Sequence, residues 1–327
     1  KKKETVKKKE QTVNTVKKSR TSREVKNTRT PRRGIKEEKT EVNENTKNVR
    51  RTRNVRNTRK TRENKLQESV ESKELVVRGE SAIAERKTKT VYRDGDKTIK
   101  LFVENYSKAD ILNEALIQSR VEENTDLKIS RLQEVTKINE RWALITEYVE
   151  GTPLDVLMKE HPEKQDEYLN FFVGIQLEVL SKRVPLLNRI KDKYRRKITD
   201  ATNIDDTTKY ELLQRLEGMK NHDKLCHGDF VPSNIIVKEN GEYAIIDWSH
   251  ATQGNGSADV ANTYLIFSMR NQKELAEKYV NLYCEKTGTD KKEVQRWIPI
   301  VAAIRKTKGK AEEQEMLEQW INIVDYE

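Results

Sequence analysis

Residues 225–248 bring together side chains suited to one reaction, the transfer of a phosphoryl group. Asp229, in His227-Gly228-Asp229, is followed five residues later by Asn234, and Asp247 closes the apolar run Ala244-Ile245-Ile246. Moving the terminal phosphoryl of ATP requires a carboxylate to orient or deprotonate the acceptor hydroxyl and oxygen ligands for Mg²⁺. It also requires a lysine for the α- and β-phosphates and a loop to cover them. Asn234 and Asp247 are hard oxygen ligands that suit Mg²⁺. Asp229, beside them, is then the proton acceptor.

Positioning such a set needs a rigid frame. The runs 226–237 and 243–248 predict a hairpin turned at Glu239-Asn240-Gly241, with polar loop residues leading into its first strand. Upstream, β-type runs occur at 74–79, 81–87, 89–94 and 98–103, with a hairpin turn at Asp94-Gly95-Asp96. The segment 108–124 carries Ile111, Leu112, Ala115, Leu116 and Val121 at helical spacing. Strand-like runs at 130–138 and 141–149 follow. Beyond Gly151-Thr152-Pro153 the pattern is mainly helical to the end of the sequence.

His227-Gly228-Asp229-Phe230-Val231-Pro232-Ser233-Asn234 and Ile245-Ile246-Asp247-Trp248 resemble the HGDxxxxN loop and IDW strand of the aminoglycoside phosphotransferase and choline kinase superfamily. The resemblance runs from about Leu75 to the C-terminus. It implies an α+β, two-lobed protein-kinase-like fold, with a small antiparallel N-lobe bearing one helix and a mainly helical C-lobe. It further implies ATP and Mg²⁺ as cofactors and a small-molecule hydroxyl as acceptor, aminoglycoside-, choline- or sugar-like. Lys100, central in its strand, falls where kinase-like folds keep the phosphate-holding lysine, and Glu114 in the helix is placed to pair with it. Glu147 to Val149 resemble the hinge that bonds adenine. The segment 78–82, with Ser81, stands where the phosphate-covering loop would be but carries one glycine. By the same resemblance His227 is structural, and Asp259, in Ser257-Ala258-Asp259-Val260-Ala261, braces the catalytic loop. Asn255 departs from the pattern, since an acidic residue is often found there. No Walker A or GxGxxG sequence occurs.

Composition sets the remaining bounds. Residues 1–70 hold 25 Lys and Arg against 9 Asp and Glu, whereas 71–327 hold 40 against 45, so the two parts differ in sign at +16 and −5. With almost no large apolar residue, the first segment is read as a disordered basic low-complexity tail suited to binding nucleic acid or another polyanion electrostatically. The kinase-like domain is assigned to 71–327, its N-lobe to about 72–147 and its C-lobe to about 152–327. Cys226 and Cys284 are expected in the core; two cysteines give no disulfide framework, consistent with a reducing compartment. No run approaches the roughly 18 apolar residues of a membrane span, and a cytoplasmic protein is the default expectation. His161 and His250 are expected at the surface. Asp205, Asp206, Glu312 and Glu313 are read as a solvated face, with attraction of a cationic substrate as the alternative. An atypical protein Ser/Thr kinase and a non-catalytic kinase-fold scaffold with a polyanion-binding tail are the competing functions. The lack of DFG and APE signatures favours a small-molecule acceptor.

Overall fold

The computed structural model describes residues 82–308 and 310–322. The readings of residues 1–70, of the run at 74–79 and of Ser81 lie outside the described residues.

The first part of the fold is a five-stranded antiparallel sheet of β1 (Ala82–Arg86), β2 (Lys89–Asp94), β3 (Lys97–Phe102), β4 (Leu132–Ile138) and β5 (Arg141–Glu147), in the order β1-β2-β3-β5-β4. Helix α1 (Lys108–Asn124) lies between β3 and β4 in sequence, with the Ser107 hydroxyl accepting from Asp110 N at 3.3 Å as its N-cap. Strand alternation divides β3 between two environments. Ile99 and Leu101 pack with Ala143 and Ile145, whereas Phe102 packs with Leu144 against Ile111 and Ala115 of α1. Lys100 shares the second face and so points toward α1.

That helix departs from the apolar periodicity read from its sequence. Leu112 and Leu116 are exposed, and the buried face carries Ile111, Ala115 and Val121 together with the polar Glu114 and Gln118. The reason is that this face borders a polar cleft: Glu114 meets Lys100, and Gln118 Nε2 donates to Ser130 O at 2.6 Å.

The second part is mainly helical. After a short strand β6 (Thr152–Pro153) come α2 (Leu154–Glu160), α3 (Gln165–Ser181), α4 (Ile190–Thr199) and α5 (Asp206–Gly218). Four three-residue strands follow, β7 (Lys224–Cys226), β8 (Ile235–Val237), β9 (Tyr243–Ile245) and β10 (Thr252–Gly254). Then come α6 (Gly256–Met269), α7 (Lys273–Thr287), α8 (Lys291–Lys306) and α9 (Gln314–Ile321). Its core runs from Phe172 and Val179 of α3 through Phe230 and Trp248 to Leu265, Tyr279 and Trp297, all fully buried. β8 and β9 form the hairpin, with Ile235 opposite Ile245, and β6 extends it; β7 pairs with β10, Cys226 opposite Thr252.

The two parts are joined by more than the chain passing through Gly151. Ile245 N donates to Lys128 O at 2.8 Å, Arg120 of α1 donates to Leu186 O at 2.5 Å, and Lys182 pairs with Asp126 at 2.5 Å. Helix α1 also packs on the single turn of 3₁₀ helix at Trp248–His250.

Candidate active site

Two small sheets present the candidate segments. β7 leads into the loop 227–234, which ends in a 3₁₀ turn at Pro232–Asn234, and β9 leads into the loop 246–251. Asn234 is fixed from both ends: its Nδ2 donates to Asp229 O at 2.8 Å, and its own carbonyl accepts from Ile246 N at 2.9 Å. With Nδ2 committed, the Asn234 side-chain oxygen is the atom left for a ligand.

His227 is fully buried, and its ring lies 4.5 Å from that of Trp248. Nε2 faces Ile246 O at 3.0 Å and Nδ1 accepts from Asp229 N at 3.3 Å, which assigns the proton to Nε2. Both nitrogens are occupied in holding the loop, so the ring is no candidate for a base.

Asp259 lies beneath the same loop, its carboxylate accepting from His227 N at 3.1 Å and Gly228 N at 2.7 Å. Burial pushes its pKa up even though the neighbouring His227 and these two N–H groups oppose the shift. Two further α6 residues that sequence reasoning missed grip the loop: Asn262 Nδ2 donates to Gly228 O at 3.3 Å, and Thr263 Oγ1 donates to Phe230 O at 2.6 Å. Positions 259, 262 and 263 share one helical face, and three polar residues at that spacing in an otherwise apolar helix were the available signal. Asn255 caps α6, its side chain accepting from Ser257 N at 2.9 Å and donating to Glu293 at 3.0 Å. Its role is therefore that of a helix cap.

Lys100, Glu114 and Asp247 converge from β3, α1 and the 246–251 loop. Lys100 Nζ lies 3.1 Å from Glu114 Oε1 and 3.0 Å from Asp247 Oδ1. A second lysine, not singled out in the sequence, joins them: Lys89 Nζ is 3.8 Å from Glu114 and 3.7 Å from Asp247. Lys89 lies two residues before Val91, which pairs with Lys100, so strand alternation puts both ammonium groups on one face. Burial alone would raise the Asp247 pKa, but Lys100 and Lys89 outweigh it and hold the carboxyl far below the usual range. Burial likewise works against the Lys100 ammonium, yet Asp247 and Glu114 prevail and its pKa is raised. Asp247 holds a left-handed backbone, φ 62° and ψ 59°, and Ser249 Oγ donates to it at 3.2 Å.

A cleft of about 360 Å³ opens between the sheet and the hairpin, lined by Val91, Lys100, Val149, Asn234, Ile236 and Asp247 among others. Glu147 and Val149 border it. The Glu147 carbonyl accepts from Ser130 Oγ at 2.5 Å, Tyr148 N donates to Asp96 O at 2.7 Å, and Val149 N–H finds no acceptor among the described residues. Asp229 lies outside this lining, and its carboxylate accepts no hydrogen bond among the described residues.

Other readings sort as follows. Cys226 is buried in the core, where desolvation raises its thiol pKa, and Cys284 is half-buried. His161 is exposed beside Glu163. His250, expected at the surface, instead lines an inner crevice, where burial and then Lys308 and Lys193 push its pKa down to about 3. Of the four acidic residues, Asp205 caps α5, Asp206 pairs with Lys209, Glu313 pairs with Arg305 and Lys310, and Glu312 is exposed.

Comparison with known proteins places these features in context. The family model described as the phosphotransferase enzyme family matches residues 89–297. No curated protein matches the sequence. Among solved structures, aminoglycoside phosphotransferase APH(4)-Ia is similar at a TM-score of 0.57 and 15% identity, covering 77% of this chain and 96% of that one. A thermostable mutant of it, in ternary complex with AMP-PNP and hygromycin B, gives 0.57 and 15% over 74% and 92%. An aminoglycoside-3'-phosphotransferase of type VIII gives 0.51 and 16% over 69% and 93%. These likenesses show the two-lobed protein-kinase-like fold.

Proposed function

Because the chain belongs to the phosphotransferase enzyme family, we propose that it moves the γ-phosphoryl group of ATP to a hydroxyl of a small molecule, with Asp229 accepting the hydroxyl proton. The observation that carries this reading is the meeting of Lys100, Glu114 and Asp247 within 3.1 Å at the inner end of a cleft. Asn234 stands beside them. Glu114 orients Lys100 toward the space where the α- and β-phosphates would lie, and Val149 N–H and the Glu147 carbonyl border the place for the base. The similar structure that binds AMP-PNP supports a nucleotide in this cleft.

The residues present fit Mg²⁺. Asn234 offers its side-chain oxygen and Asp247 an ionised carboxylate, both hard donors. Among the described residues no group of three His, Cys, Asp or Glu could form a cage for a metal ion. Mg²⁺ usually takes its remaining ligands from phosphates and water. When bound, Mg²⁺ would neutralise charge on the phosphate oxygens.

Asp229 is held from behind by the contacts of Asp259, Asn262 and Thr263 with its loop, which leaves its carboxylate free to bond the acceptor. The acceptor oxygen forms the new P–O bond, the bond to the ADP oxygen breaks, and the hydroxyl proton passes to Asp229. Release of ADP, followed over a panel of small hydroxyl compounds, tests this. Asp229→Asn should lower kcat by about 10²–10⁴-fold, the range for loss of a general base, while AMP-PNP still binds. Wild-type ADP release no faster than that of Asp229→Asn with every acceptor, water included, would overturn it.

A further inference from the structure

A smaller recess lies beside Gly228 and His250. This crevice of about 30 Å³ is lined by Lys193 and Lys197 of α4, Arg305 of α8, Lys308 just beyond α8, His250 and Thr252. None of Lys193, Lys197 and Lys308 forms an ion pair with an acidic side chain among the described residues. Lys193 Nζ is directed inward to the His250 carbonyl at 3.0 Å. Lys308 is exposed at the mouth and lies within electrostatic reach of the Asp229 carboxylate.

Two residues that line the crevice carry a buried polar atom with no hydrogen-bond partner among the described residues, Arg305 Nε and Thr252 Oγ1. Arg305 is 7% exposed; its other nitrogens reach Asn262 at 3.1 Å and Glu313 at 3.3 Å. An orphaned guanidinium N–H is costly unless something accepts from it. Lys193 and Lys197 stand four apart on one helix, a spacing at which like charges destabilise the helix. This concentration of positive charge is local, because residues 71–327 sum to −5. Burial and then the neighbouring Lys197 and Lys308 lower the Lys193 pKa to about 8, with Asp259 offsetting only part of the shift. The phosphates proposed for the nucleotide cleft would have Lys100 and Lys89 there.

We infer that the acceptor is anionic, a small sugar or polyol whose phosphate or carboxylate is held by Lys193, Lys197, Arg305 and Lys308 while its hydroxyl faces Asp229. The inference rests on Asp229 being the site of transfer. The anionic group is not consumed; only the hydroxyl oxygen forms a bond to phosphorus. Cationic acceptors are disfavoured at this site by like charge.

The test compares glucosamine, glucose, gluconate and glucose 6-phosphate by ADP release at fixed ATP, the last two separating carboxylate from phosphate. The anionic compounds should exceed glucosamine in kcat/KM by 10-fold or more, on the order of one close charge contact. Lys197→Glu and Lys308→Glu should each raise KM for the anionic compound far more than they change kcat, with AMP-PNP-induced thermal shifts certifying the fold. Glucosamine used as well as either anion, or charge reversals without effect on KM, would overturn the inference in an enzyme that still turns over ATP. If none of these four compounds supports ADP release, calorimetry decides the site. Glucose 6-phosphate binding to Asp229→Asn, lost in the added Lys197→Glu/Lys308→Glu pair, would sustain the anion site, and no binding would sink it.

Discussion

Single side chains in this protein are tuned by which charges surround them, and Lys193 shows how that becomes measurable. Its neighbours are Arg196 and Lys197 on its own helix, Arg305 and Lys308 from the end of α8, His250, which is neutral near pH 7, and the buried Asp259. The folded pKa is about 8, lowered from 10.5. The fold therefore disfavours the ammonium, and this group's penalty falls away as pH rises from about 8 to 10.5. Binding an anion calls for the opposite state. For gluconate, kcat/KM should decline as pH climbs through about 8, and Lys193→Met should flatten that limb of the pH–rate profile. A profile unchanged by the substitution would separate Lys193 from the acceptor. At this scale the sequence is informative where neighbours in sequence are neighbours in space. Asp229, Asn234 and Asp247 lie on one loop and one hairpin. Lys89, Asn262 and Thr263 reach the site only through strand register and helix docking, which no local spacing encodes.

Short elements do the positioning, and their tolerances are tight. Gly254 of β10 abuts the first residue of α4, and a Cβ there would stand 2.2 Å from Ile190 Cγ2. Gly254→Ala should cost about 1–3 kcal/mol, as overpacking does, and move α4 away from the 250–252 loop. The double substitution with Ile190→Ala should cost less than the two single costs combined, read from denaturant midpoints; strict additivity would show that the two do not collide. The hairpin and α1 were both visible in the sequence, since turn chemistry and helical length are local. The inward face of α1 was not, because a helix bordering a polar cleft buries Glu114 and Gln118 and leaves Leu112 and Leu116 outside.

For the molecule as a whole, the order of parts was readable from the resemblance, and the inferred acceptor side was not. α4 and the end of α8 carry no motif, and their cations meet only because the helical part folds α8 back beside α4. The chain also divides by charge, +16 over residues 1–70 and −5 over 71–327. Retention of the full chain on an immobilised polyanion should weaken steeply with salt, as exposed charge is screened beyond about 10 Å at 0.1 M. Deletion of residues 1–70 should abolish retention while leaving ADP release per molecule intact. Retention that survives the deletion would place the polyanion contact on the acidic part. Among the described residues no helix is long and apolar enough to cross a membrane.

The ties between the two parts of the fold carry a mechanical consequence. Ile245 with Lys128, Arg120 with Leu186, and Lys182 with Asp126 clasp them together along the back of the cleft. A box fastened along its rear edge opens only at the lid. The untied margin is β1, an edge strand among the described residues, mostly exposed and lining the cleft through Ile83. A nucleotide in the cleft, as proposed, would then exchange past that margin, with the loops 227–234 and 246–251 held in register.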